Sequence, residues 1–359
     1  MTASNPNLTD IARKAKVSIA TVSRALNGSP SVLPATRDRV LAAANDFGYI
    51  PDPRFRLMAK SRTSTGACTG NLALLLQGVS QAEFVGNPYY ARLFWGIEET
   101  ASARGFHLIL STLRNGADHY LPDFVRDFKV DGVIALAYSD DDLVRRISDC
   151  MPLVMLNRSP GHLPVSVVLP DNASGVRQAM DYLVGLGHRR ITYFLIDDRP
   201  HENTHRNSNH KARREAFCRY VSDHELNEAQ SVVLGERTKG FAETIYDVLA
   251  EWLSTGQLPT ALLCSTDVYA FEFLKSAAAL GIDVPEALSI VGTDDRDLCK
   301  FTSPALTSIR QPFEAMGATA VKLLLDRIES PDTPTVRTIS SLDVSLIERE
   351  SCAPPRQTE

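Results

Sequence analysis

The chain has 359 residues, 44% of them hydrophobic and 23% charged, the composition of a folded globular protein with room for two or three domains. It has no run of 18 apolar residues, and its start, MTASNPNLTD, has no basic stretch leading into an apolar one; both facts argue against a membrane span or secretion signal and for a cytoplasmic protein. The net charge of -5 is unevenly placed: residues 1–62 hold ten Lys and Arg against four Asp, a segment suited to a polyanion or, more simply, a solvated basic face.

Three short helices are predicted first. One over 9–15 uses Thr9 as N-cap, places Asp10 near the positive end of the helix dipole, and buries Ile11, Ala12 and Ala15. The second, capped by Ser18 and running to Leu26, turns Val22, Ala25 and Leu26 inward and presents Ala20 and Arg24 on the opposite face. A third over 35–47 has Pro34 at its first position, Gly48 at its end and, in Leu33, a poor cap. Two short helices joined by a tight turn on a basic segment read as a helix-turn-helix whose second helix can enter the major groove. The stretch PDPRFRLMAK (51–60) then forms a linker that pairs guanidinium groups with bulky apolar side chains.

Beyond residue 70, apolar runs of strand length alternate with helical periods, which predicts βα units around parallel sheets buried on both faces. Strands are expected at 71–77, 107–112, 132–137, 153–157, 190–197, 231–236, 261–265 and 288–295, in two halves that part near 160–170, where SPGHLP punctuates the chain. The six cysteines form no C-x-x-C pair and read as reduced thiols. Polar residues follow several strands: Asn157 and Arg158, Asp197 and Asp198, Asp267, and Asp294 with Asp295. In open α/β sheets such carboxyl ends carry the ligand site, here in the crevice between the halves. His201, His205 and His210 lie within ten residues, but their Asn-rich surroundings read as a polar loop, so no metal is expected, and no cofactor. The chain has no P-loop, no G-x-G-x-x-G after the first strand and no G-x-S-x-G, which argues against an enzyme.

The stretch LTDIARKAKVSIATVSRALNGSPSVLPATRDRVLAAANDFGYIPD resembles the DNA-binding headpiece of the lactose-repressor (LacI/GalR) family of bacterial transcription regulators. The similarity continues through LVGLGHRRI (183–191), 265–295 and 304–328, so it covers nearly the whole chain. It implies an α/β protein with an all-α helix-turn-helix headpiece (1–50), a hinge helix (51–66) and a two-lobed, periplasmic-binding-protein-like core of doubly wound parallel sheets (67–359). Lobe 1 is expected at about 70–162 and 293–325, lobe 2 at about 163–292 and 326–350.

By the same resemblance Ile19, Ala20 and Arg24 read bases, Arg24 as a bidentate donor to guanine. Thr21, Ser23, Asn27 and Ser31 hold the DNA backbone, with helix capping the alternative for Thr21 and Ser23. Lys16 stands where the family usually has glycine, which in a left-handed conformation costs about 1–2 kcal/mol. In the hinge, Arg54 and Arg56 meet phosphates or the minor groove, and Met58 or Leu57, beside Phe55, wedges between base steps.

In the core, Arg213 and Asp267 are the effector ligands implied, against salt bridges as the alternative, and Tyr89, Tyr90 or Phe94 covers an apolar sugar face or packs in the core. Asp294 is read as ligand, structural or hinge residue; Arg158, Asp197 and Arg237 complete the candidates, and the arginines lean toward an anionic sugar. The implied function is a transcriptional regulator of repressor type, a homodimer on a pseudo-palindromic operator of double-stranded DNA, controlled by a sugar-like small molecule. The alternative is a cytoplasmic sugar-binding or sugar-processing α/β protein without a DNA role.

Overall fold

The computed structural model describes residues 7–26, 32–47, 68–77, 79, 84, 86–113, 121–136, 140–159, 163–196, 208–234, 240–330 and 337–356. Helix α1 (Leu8–Ala15) is capped by Asn7, not by the expected Thr9. Asn7 accepts from the Thr9 and Asp10 N–H groups at 2.8 and 3.2 Å, while Asp10 reaches back to the Asn7 N–H at 3.1 Å. The Asp10 carboxylate therefore closes a reciprocal capping box that Thr9, already inside the helix, could not form. The helix ends at Lys16, which is left-handed at φ 54° and ψ 47°. Ser18 caps α2 (Ile19–Leu26) by accepting the Thr21 N–H at 3.1 Å. In α3 (Pro34–Asp46) the Leu33 carbonyl takes the N–H groups of Thr36 and Arg37; Gly48 lies outside the described residues. Ile11, Val22, Leu26, Val40 and Ala43 fill the small core these helices share.

The remaining chain builds two six-stranded sheets. The first contains β1 (Asn71–Gln77), β2 (His107–Leu113), β3 (Gly132–Leu136), β4 (Leu153–Leu156), β5 (Ser166–Pro170) and β11 (Ile339–Leu342), in the order β11-β5-β4-β3-β1-β2. The second contains β6 (Ile191–Ile196), β7 (Gln230–Leu234), β8 (Ala261–Cys264), β9 (Ser289–Asp294), β10 (Thr307–Arg310) and β12 (Ser345–Ile347), in the order β12-β10-β9-β8-β6-β7. All pairings are parallel except β10 with β12. The central strands are fully buried runs, LALLL in β1 and ITYFLI in β6, as a sheet covered by helices on both faces requires.

The helices are α4 (Pro88–Ala103), α5 (Asp123–Arg126), α6 (Asp141–Ser148), α7 (Asn172–Gly185), α8 (Ser208–Asp223), α9 (Phe241–Ser254), α10 (Asp267–Leu280) and α11 (Phe313–Glu329). On the first lobe α11 packs against α4 at backbone contact. A Cβ on Gly96 would stand 2.0 Å from the Glu314 carbonyl oxygen, and one on Gly317 2.5 Å from that of Leu93, so both helices need glycine there.

Strand pairing moves the expected lobe boundaries. The chain passes between the sheets after Pro170, after Arg310 and after Leu342, rather than near 162, 292 and 325. The first shift arises because β5 adds to β4 before the chain leaves. The second arises because β9 stays in its sheet and hands on to β10, and the third because β11 returns to pair with β5 before β12 closes against β10. Strands β5, β10, β11 and β12 were not predicted. Among the described residues no helix is long and apolar enough to cross a membrane.

Candidate functional site

Two surfaces bring the predicted residues together. On α2, Ile19, Ala20 and Arg24 are exposed, with Ile19 at 48%, whereas Val22, Ala25 and Leu26 are buried. Arg24 Nε donates to the Ala20 carbonyl at 3.2 Å, so the guanidinium lies along the outward face. Thr21 and Ser23 are half-buried, and the Thr21 hydroxyl is 2.8 Å from that of Ser18 at the helix cap. Asn27 and Ser31, and the linker residues Arg54, Phe55, Arg56, Leu57 and Met58, lie outside the described residues.

The second surface lies at the carboxyl ends of the core strands. Arg213, on α8, is 5% exposed. Its Nε donates to Asn172 Oδ1 at 2.8 Å, Nη1 donates to the Ser265 carbonyl at 2.6 Å, and Nη2 stands 4.0 Å from Asp294 Oδ1. Asp294, at the end of β9 with φ 117°, accepts from Gln311 Nε2 at 2.7 Å and from the Thr266 hydroxyl at 3.0 Å, and lies 3.7 Å from Arg296 Nη2. Burial raises its carboxyl above the ordinary carboxylate range, against the pull of Arg213 and Arg296.

From Arg213 a chain of amides runs to the first lobe. Asn172 donates to Asn209 Oδ1 at 2.9 Å, Asn209 donates to Asn157 Oδ1 at 2.6 Å, and Asn157 donates to the Tyr89 hydroxyl. Asn157 directly follows β4 of the first sheet and Asn209 lies in the first turn of α8 on the second, so the Asn157–Asn209 bond joins the lobes. Burial also pushes Tyr89 well above its ordinary value, which leaves its hydroxyl neutral. Among the described residues Gln311 Oε1 and Arg296 Nε are buried with no hydrogen-bond partner, and Gln311, Arg213 and Asn172 line one small cavity. An unmatched buried acceptor and donor beside a paired arginine and carboxylate suit a ligand rich in hydroxyl groups.

Asp267 does not take the place expected of it. It is fully buried, with Oδ1 accepting from the Ser308 hydroxyl at 2.6 Å and Oδ2 from the Arg296 N–H at 2.8 Å and the Cys299 thiol at 3.3 Å. Gly292 makes room for it, since a Cβ there would stand 2.2 Å from Oδ1. Asp267 therefore pins the start of α10 to the segment after β9 and to β10 itself, and Asp294 is the carboxylate that faces Arg213. Burial, with Asp294 beside it, pushes Asp267 up to about 7.

Asp295 is a brace, held by Arg310 Nε at 2.7 Å and Arg349 Nη2 at 2.6 Å. Arg158, 2% exposed, is paired with Asp141 at 2.6 Å. Tyr90 and Phe94 pack with Phe84 in an aromatic group on the first-lobe core, ring centroids 5.9 and 5.8 Å from that of Phe84. Asp197, His201, His205 and Arg237 lie outside the described residues, among which no group of three or more His, Cys, Asp or Glu could hold a metal ion. Sequence reasoning missed Asn172, Asn209, Thr266 and Gln311, whose only signal was a polar residue just past an apolar run or inside an Asn-rich loop.

Residues 7–52 match the family described as bacterial regulatory proteins, lacI family, and residues 180–352 the periplasmic binding protein-like domain. The HTH-type transcriptional regulator CelR of Thermobifida fusca is 32% identical over 355 residues, 96% of this chain and 98% of that protein. The HTH-type transcriptional repressor CytR of Escherichia coli K12 is 31% identical over 325 residues, 89% of each chain. A solved complex of the regulator CelR with cellobiose has a TM-score of 0.62 at 29% identity, covering 96% of this chain and 99% of that one. With the headpiece helices, the two sheets and the cluster between them, these likenesses make the chain a DNA-binding transcriptional regulator with an effector-binding core, a member of the lacI family of bacterial regulatory proteins.

Proposed function

We propose that the effector is a neutral sugar, held between the lobes by Arg213, Asp294, Gln311 and the Asn157–Asn209–Asn172 amides, and that it controls affinity for a pseudo-palindromic operator. The carrying observation is the pairing of Arg213 with Asp294 beside the unmatched Gln311 acceptor. Planar donor forks and carboxylates each suit vicinal hydroxyls. An anionic sugar fits less well, because Arg213 already faces Asp294 and Arg158 is paired with Asp141. The cellobiose complex of the similar regulator is consistent with this choice.

The protein works in the cytoplasm as a homodimer, each headpiece placing α2 in one major-groove half-site. Ile19, Ala20 and Arg24 read bases, Thr21, Ser23, Asn27 and Ser31 hold phosphates, and residues 54–58 reach the minor groove. A sugar bound at the Asn157–Asn209 junction exchanges its hydrogen bonds for those joining the lobes, which changes the lobe angle and hence the spacing of the headpieces.

A thermal-shift screen of the full-length protein against neutral sugars, sugar acids and sugar phosphates tests the reading. A neutral sugar should raise the melting temperature and change operator affinity. Preferential binding of a phosphate ester would overturn it.

A further inference from the structure

The exposed face of α2 presents one branched aliphatic side chain where the N-terminal turn of a recognition helix meets base edges. Ile19 is 48% exposed although the headpiece core, built on Ile11, Val22, Leu26 and Val40, has no need of it. Its neighbours are accounted for: the Ser18 and Thr21 hydroxyls are 2.8 Å apart at the cap, and Arg24, exposed on the same face, engages the Ala20 carbonyl through Nε at 3.2 Å, a bond that does not use its two Nη groups. That pair of donors suits the O6 and N7 acceptors of guanine. A branched hydrocarbon can neither donate nor accept, and the one apolar feature in the major groove is the C5 methyl of thymine.

Resting on the reading of α2 as the DNA-contacting helix, we propose that Ile19 selects a thymine in each half-site by packing on its C5 methyl, next to a guanine read by Arg24. Ala20, exposed beside it, offers a single methyl group and so a smaller apolar contact than the branched Ile19 side chain. Selectivity at the Ile19 position is therefore carried by one methyl group, whereas at Arg24 it is carried by hydrogen bonds.

Removing that methyl isolates the contact. Full-length protein is used to enrich binding duplexes from a randomised double-stranded DNA pool, and each thymine of the enriched site is then replaced singly by deoxyuracil. One position per half-site should lose about three- to five-fold in affinity, the size of one buried methyl contact. The Ile19→Ala protein, its helical melting unchanged because Ile19 is outside the headpiece core, should bind the thymine and uracil duplexes equally. Absence of any uracil-sensitive position in the wild type, or a sensitivity that Ile19→Ala retains, overturns the proposal. If no duplex is enriched at all, the DNA-contacting reading of α2 falls, and this proposal with it.

Discussion

Replacing Asp267 by Asn tests whether this carboxyl is a buried structural pin. Its pKa is raised from 3.8 to about 7, by burial first and by Asp294 second. A carboxyl raised on folding favours the folded state at acid pH: the contribution is complete below about pH 4 and is lost as pH rises through 7. Above that pH, holding Asp267 ionised costs on the order of 4 kcal/mol relative to the unfolded chain. Asparagine abolishes the ionisation and keeps the shape, its Oδ1 accepting the Arg296 N–H and its Nδ2 donating to Ser308 Oγ. His188, lowered by burial, gives an opposite slope at acid pH, but it is common to both proteins and cancels in the comparison. In urea denaturation of the full-length protein from pH 5 to 8.5, the wild type should lose stability relative to Asp267→Asn as pH rises, with the variant the more stable at pH 8.5. Asp267→Ala, which strands three donors in a cavity, should lose roughly 3–5 kcal/mol throughout. Identical pH profiles for the wild type and Asp267→Asn would refute the reasoning.

Gly96→Ala places a Cβ 2.0 Å from the Glu314 carbonyl oxygen and should destabilise the core by about 3 kcal/mol or more, read as a drop in melting temperature. Arg24→Ala should weaken operator binding by about 1–3 kcal/mol and relax preference at one base position, whereas an equal loss on every sequence tested by anisotropy would assign Arg24 to phosphates.

The headpiece was legible because a 3.6-residue period puts Ile11, Val22 and Leu26 on inner faces whatever lies beyond them. The long core strands were legible for a similar reason, since a parallel sheet covered on both sides demands unbroken apolar runs such as LALLL. Strand β11, ISSL, carries no such run: it is an edge strand fixed by pairing with β5, about 170 residues earlier in the chain, and no local pattern announces it. The lobe boundaries depended on that pairing and were misplaced with it. At the site, Arg213 was legible as a charged residue in a known motif, but the choice between Asp267 and Asp294 was not. Both follow apolar strands, and only the fold shows the first caged by Ser308, Arg296 and Cys299 and the second turned to Arg213. The asparagine chain from Arg213 to Tyr89 joins four separate segments, which no spacing rule connects.

The most direct test of the account is the affinity of full-length protein for its enriched operator duplex, measured by fluorescence anisotropy with and without the neutral sugar found in the screen, for the wild type and for Asp294→Asn. The wild-type affinity should change by about 5- to 150-fold on adding sugar. The variant should match the wild type without sugar and respond weakly or not at all. An unaltered sugar response in Asp294→Asn would contradict the placement of the effector against the Arg213–Asp294 pair.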